Sequence, residues 1–132
     1  MMKTIEIKTT SRNEMINITR EVEKVVREAG VRDGLCYVFV PHTTAGITIN
    51  ENADEDVKSD IIKVLGKIIP YDDGYRHIEG NSDAHIKATL TGSSVTVAVE
   101  DGQLVLGTWQ GIYFCEYDGP RRRKVYIKII NG

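Results

Sequence analysis

Cysteine, proline, excess basic charge and long apolar runs are all scarce in this chain, and each shortage excludes a class of protein. The 132 residues contain two cysteines and three prolines. Neither CxxC nor Cys/His finger spacing is present, so a thiolate zinc finger is excluded, and no Pro-rich or low-complexity linker divides the sequence. A formal charge of -2 argues against a general nucleic-acid binder, whose affinity rests on a basic surface. No apolar run reaches the roughly 18 residues of a membrane span. Met1-Met2-Lys3 leads straight into an alternating segment without the apolar stretch of a secretory leader. The expected setting is the cytoplasm, with neither nucleic acid nor membrane as a partner. Cys36 and Cys115 both lie in apolar, strand-like runs and are expected to be buried, reduced thiols.

What is present suits one α+β domain over residues 1–132. Lys3–Thr9 alternates with period two and reads as a first strand with Ile5 and Ile7 inward. Thr19 is placed to cap a helix from Arg20 to Ala29, where Val22, Val25, Val26 and Ala29 form an apolar face before Gly30. Leu35–Val40 is the nearly continuous apolar run of a central strand, closed by Pro41. After Ile47-Thr48-Ile49, Asp54 is expected to cap a second helix whose buried face is Val57, Ile61, Val64, Leu65 and Ile68. Pro70 stops that helix, and a polar loop runs from Tyr71 to Glu79. A short helix follows, capped by Ser82 and ending at Gly92, with Ala84, Ala88 and Leu90 available for packing. The remainder reads as strands: Ser94–Val99, the Asp101-Gly102 hairpin turn, Leu104–Leu106, Gly107–Tyr117 and Lys124–Ile130. The expected architecture is a mostly antiparallel, sandwich-like sheet structure with two long helices and one short one.

Chemistry-bearing residues gather where periodicity lapses. His42 follows a strand, His77 lies in the long loop and His85 in the first turn of the short helix. Three neutral imidazoles with an open position make a competent metal site. Their spacing alone favours separate roles, because no HxH or HExxH motif is present. A helix N-terminus disfavours imidazolium, so His85 also suits acid–base work. Glu51 and Asp83 each have two readings: general bases or hydrogen-bond supports, or merely a strand end and a helix-start acid. Asn81, Ser82 and the first helical N–H groups suggest an anion cradle that Lys87 or Arg121 would complete, against ordinary capping. Arg122, Arg123 and Lys124 read as a solvated turn and strand start. Trp109 reads as core or subunit contact, and Gln110 and Glu116 share a face in an unbroken strand, where they would line a pocket.

The runs His42–Asp54, Gly80–Lys87 and Leu104–Phe114, with Asp118-Gly119-Pro120-Arg121, resemble the YjbQ-like family, proteins often labelled secondary thiamine-phosphate synthases. The resemblance covers nearly the whole chain. It implies a sandwich-like subunit that assembles as a homotrimer and a divalent metal such as zinc on His42, His77 and His85. The implied activity joins a pyrimidine diphosphate to a thiazole phosphate with loss of pyrophosphate, with magnesium as an alternative metal carried by the diphosphate. On this reading His85, Glu51 and Asp83 are catalytic. Thr43, Thr44, Asn50, Asn81, Ser82, Lys87, Gln110 and Arg121 contact the small-molecule metabolite. A zinc-dependent hydrolase and a non-catalytic metabolite- or metal-binding trimer are the alternatives.

Overall fold

A computed structural model describes residues 2–132. Among these residues the chain forms an α+β structure of eight strands and three helices. Strands β1 (Met2–Lys8), β3 (Gly34–Phe39), β5 (Ser94–Glu100), β6 (Gln103–Leu104) and β8 (Arg122–Asn131) make one sheet in the order β1-β8-β3-β5-β6. The other sheet is β2 (Glu14–Asn17), β7 (Gln110–Glu116) and β4 (Ala45–Glu51) in the order β2-β7-β4. Every pairing in both sheets is antiparallel.

The main core lies between the sheets because alternation turns one face of each strand inward. Ile7, Cys36, Val38, Val97, Val99, Val125 and Ile127 of the five-stranded sheet meet Ala45, Ile47, Ile112 and Phe114 of the three-stranded one. Helix α1 (Thr19–Ala29) adds Val22 and Val26 to this core, and Gly30 closes it in a left-handed conformation. A second apolar cluster lies on the opposite face of the three-stranded sheet. There Met15, Tyr113, Cys115 and Tyr117 are covered by α2 (Glu55–Ile68) and α3 (Ser82–Thr91).

Several expectations change in detail. Thr19 is the first residue of α1 rather than its cap: Asn17 Oδ1 accepts from the Thr19 N–H at 3.0 Å, and Thr19 Oγ1 accepts from the Ile112 N–H at 2.8 Å. Asn81, not Ser82, occupies the cap position of α3, and that helix of 10 residues is nearly as long as α1 with 11. Asp54 does cap α2, accepting from the Asp56 N–H at 2.9 Å. Helix α2, however, buries no residue fully, and Val64 and Ile68 are 48% and 68% exposed. Leu90 of α3 is also exposed. Cys36 and Cys115 are free and buried, and burial raises their thiols to about 11 and about 12. Among the described residues no helix is long and apolar enough to cross a membrane.

Two close backbone approaches set the geometry around the histidines. Gly46 of β4 lies under the end of α3, where a Cβ would stand 2.7 Å from the Gly92 carbonyl oxygen. Gly119 brings the β7–β8 turn against the β1–β2 turn, where a Cβ would stand 2.3 Å from the Ser11 carbonyl oxygen. Backbone cannot retreat as a side chain can, so Gly119→Ala forces the two turns apart. The expected cost is about 1–3 kcal/mol, seen as a lower chemical-denaturation midpoint with an unchanged slope.

Candidate functional site

The end of the sandwich that carries His42 is built on two networks of paired charges. In the first, Arg123 of β8 meets Glu116 of β7 with both side chains almost fully buried. Arg123 Nε donates to Glu116 Oε1 at 2.8 Å, and its Nη2 reaches both Glu116 Oε2 and Thr44 Oγ1. Thr9 Oγ1 donates to Glu116 Oε1 at 2.8 Å, and the Asp118 N–H donates to Oε2 at 3.0 Å. Burial alone would raise the Glu116 carboxyl. The hydrogen bonds from Arg123, Asp118 and Thr9 outweigh it and hold the group below the ordinary value.

In the second network Arg12 bridges Asp83 at 3.0 Å and Asp118 at 3.2 Å, and stacks over the Tyr71 ring at 4.5 Å. Asp118 also accepts from Asn81 Nδ2 and from Arg121. Lys87 is 3% exposed and donates to Asn13 Oδ1 at 3.1 Å, with Asp83 3.8 Å away. Burial lowers its ammonium from the ordinary value, with Arg12 adding to the effect and Asp83 opposing it. The donors proposed for an anion, Asn81, Lys87 and Arg121, are thus engaged with internal partners. Asp83 is 1% exposed and held by Arg12, which makes it a support beneath α3.

His42 and His85 line one cavity of about 400 Å³ together with Thr43, Ala45, Thr89 and Ser93. The Lys124 N–H donates to His42 Nε2 at 2.9 Å, which leaves the proton of the neutral ring on Nδ1. Burial, then the nearby Arg123 guanidinium, lowers His42 below the ordinary imidazole value. His85 also borders a second cavity with Tyr75, Arg76, His77, Ser82 and Ile86, its ring centroid 5.5 Å from that of His77. His85 therefore adjoins both other histidines. Yet among the described residues no three His, Cys, Asp or Glu side chains come together to hold a metal. Since His42 Nε2 is already accepting a backbone proton, the donors of one chain do not fit a three-imidazole centre.

The other sequence-derived residues lie elsewhere. Thr44 is buried against Arg123. Asn50, Glu51 and Gln110 lie at the far end of β4, about 20 Å from His42 at strand rise. There Gln110 Oε1 accepts from the Gly107 N–H, while Glu51 Oε2 accepts from the Ala53 N–H. Gln110 and Glu116 do not share a pocket, because Ile112 and Phe114 fill their common face. Trp109 is exposed, which removes it from the core. Arg123 is buried, not solvated, and its alternation with Val125 and Ile127 is the signal that points it inward. Arg12 and Asp118 had no such signal, since they pair across 106 positions.

A family model described as UPF0047 protein YjbQ-like matches residues 3–132. The chain belongs to the YjbQ-like UPF0047 family. It is 56% identical to the UPF0047 protein YugU of Bacillus subtilis, over 98% of this chain and 99% of that protein. A UPF0047 protein of Methanocaldococcus jannaschii is 54% identical over 98% of this chain and 94% of that protein. The crystal structure of a YjbQ/UPF0047 protein from Clostridium acetobutylicum superposes with a TM-score of 0.96 at 58% identity, covering 97% of this chain and 99% of the other. A YbjQ-like protein from Sulfolobus solfataricus gives 0.96 at 33% identity, covering 100% and 97%.

Two measurements probe this end of the sandwich. Glu116→Ala leaves the Arg123 charge buried and unpaired, and is expected to cost about 3–5 kcal/mol in denaturant unfolding. For His42, the unfolded ring takes a proton near pH 6.5 while the folded ring stays neutral. The unfolded state then binds more protons below that pH, so stability falls as pH drops from about 6.5 toward the lower folded-state value. His42→Gln should flatten this fall, and ring C–H NMR titration should show the depressed midpoint directly.

Proposed function

We propose that the chain is an enzyme acting on a small phosphorylated or heterocyclic metabolite in the His42–His85 cleft, with the imidazoles as its proton-handling groups. The observation that carries this reading is the cleft itself. Two histidines distant in sequence line it together, and one is held neutral in a defined tautomer by the Lys124 N–H. A neutral His42 presents its Nδ1 proton to a substrate oxygen, and His85, half-buried on the cleft wall, serves as proton acceptor. Exposed Arg121 lies close enough to His42 to act on its ring, and Lys124 meets that ring through its backbone N–H, so both are placed to supply positive charge for a phosphate. Arg121 keeps its own bond to Asp118 in doing so, since a guanidinium has five donors.

In the synthase version the thiazole nitrogen displaces the diphosphate from the pyrimidine methylene. The basic rim then receives the departing charge, and a diphosphate carries magnesium in on its own oxygens. Because one chain's histidines do not form a zinc centre, no step is assigned to a resident metal. The assembly is a trimer in this reading, following the family resemblance. Buried acceptor Asn81 Oδ1 has no hydrogen-bond partner among the described residues, and a ligand hydroxyl or amine would satisfy it.

The test is phosphorus NMR of the protein with a pyrimidine diphosphate and a thiazole phosphate, together and singly. Pyrophosphate released only with both substrates supports the synthase, and phosphate from one alone supports a hydrolase. His85→Ala and His42→Ala are each expected to lower turnover about 10²–10⁴-fold with folding intact. Turnover unchanged by both removes the cleft as the reaction site. Tight calorimetric binding with no product identifies the metabolite-binding alternative.

A further inference from the structure

A cavity of about 650 Å³, larger than the one beside His42, opens at the opposite end of the sandwich. It lies where the end of β2, the first two turns of α1 and the β6–β7 connection meet Asn52, just after β4. Its volume is ordinary for a small-molecule site. Leu104 and Leu106, both half-buried, give it an apolar wall. No residue lines both this cavity and the histidine cleft, so its chemistry stands whether or not the cleft is catalytic.

Two carboxamides in the cavity are held by one end only. Asn52 Nδ2 donates to the Gln110 carbonyl oxygen at 2.9 Å, and Gln110 Oε1 accepts from the Gly107 N–H at 2.8 Å. Each bond settles which way its amide faces, because a carbonyl oxygen requires the amino end and an N–H requires the oxygen end. Asn52 is left presenting an acceptor, Oδ1, and Gln110 a donor, Nε2. Among the described residues neither atom has a partner. Asn17 differs, for its Oδ1 takes both donors of Thr19 and its Nδ2 serves the Tyr113 hydroxyl. A Cβ on Gly111 would stand 2.8 Å from Asn52 Cβ and 3.2 Å from Thr19 Oγ1. The bare backbone at that point is what lets Asn52 settle beside Gln110.

An acceptor and a donor on neighbouring, anchored side chains match a lactam edge, in which a ring N–H stands next to a C=O. They reject an edge whose ring nitrogen is itself an acceptor, since neither amide can turn over without losing its anchor. The charged lining is Arg20 against Glu21 and Glu23. Glu51, Asp54 and Glu55 lie beside Asn52 and deepen the negative field, offset in part by Lys58, which is paired to Glu55 at 2.7 Å. That balance opposes a phosphate and suits a neutral ligand whose hydroxyls donate to carboxylates.

We propose that this cavity binds a nucleoside whose base carries a lactam edge. The base gives its N–H to Asn52 Oδ1 and takes the Gln110 Nε2 proton on its carbonyl, with the ring against Leu104 and Leu106 and the sugar hydroxyls toward Glu21 and Glu23.

Proton–nitrogen NMR of the native protein with uridine as the probe tests the site. Saturable shifts are expected in the side-chain amides of Asn52 and Gln110 and in the backbone amides of Gly107, Thr108 and Gly111. Cytidine has an acceptor at the ring nitrogen and 3-methyluridine has no N–H to give, so each should bind about tenfold more weakly or worse. Uridine monophosphate should gain nothing from its phosphate. Gln110→Glu keeps an oxygen for the Gly107 N–H while turning the free end from donor to acceptor, and should lower uridine affinity about tenfold with the denaturation midpoint unchanged. Should that variant fail to fold, the comparison of uridine with 3-methyluridine on the native protein decides. Equal binding of the three nucleosides, unchanged affinity in a folded Gln110→Glu, tighter binding of the monophosphate, no saturable shift up to the solubility of uridine, or shifts confined to the His42 end each overturn the proposal. Turnover in the histidine cleft is read separately, so either site can fail without the other.

Discussion

The ion pair of Glu116 and Arg123 joins the two sheets at the end of the sandwich where His42 sits. Removing two charges from water carries a desolvation cost that their attraction offsets only when the remaining lone pairs and protons are also matched. Thr9, Thr44 and the Asp118 backbone supply those matches, and each comes from a different connecting segment. The requirement draws the segments together. His42 follows β3, separated from Thr44 by Thr43 alone, and meets the Lys124 N–H one residue beyond Arg123. The histidine's position and tautomer therefore follow from satisfying one buried guanidinium, which also adds to the effect of burial in favouring the neutral ring.

The network around Asp118 and Asp83 does similar work for His85. Asp83 and Lys87 lie one turn apart on the inner side of α3 and are anchored to Arg12 and Asn13 in the β1–β2 turn. Helix α3 has little apolar surface with which to hold its place. Ala84 is its fully buried hydrophobic residue, and charge pairing replaces packing. Such contacts are directional where apolar ones are not. They fix the rotation of the helix about its axis, and with it the direction in which His85 faces. Residues that resembled a substrate cradle in the sequence thus orient the wall of the site.

This division explains which features were legible in advance. Period-two alternation located β1, β5 and β8, Asp101-Gly102 marked the hairpin, and Asp54 marked the start of α2, because each depends on near neighbours in the chain. The partners of Arg12, Lys87 and Arg123 lie 71 to 106, 74 and up to 79 positions away, apart from the local contacts of Lys87 with Asp83 and Arg123 with Glu116. A cation that reads as available for a ligand cannot be told from one already paired when its partner arrives from another element. Helix caps shifted by one residue for a simpler reason. At α1 the Asn17 amide oxygen takes the free N–H that the Thr19 hydroxyl was expected to serve, and at α3 Asn81 holds the cap position by its backbone while its side chain turns to Asp118.

Helix α2 has a separate consequence. It covers the outer face of the three-stranded sheet with half-buried Ile61, Ile62 and Leu65, but no side chain in its 14 residues is fully enclosed. Segments held by few enclosed contacts open by local fluctuations far smaller than global unfolding. In an isolated subunit α2 would be among the first elements to exchange its amide protons and to admit a protease. Because Glu51 stands just before this helix and the Tyr71–Glu79 loop just after it, the same fluctuation would loosen both ends of the molecule together.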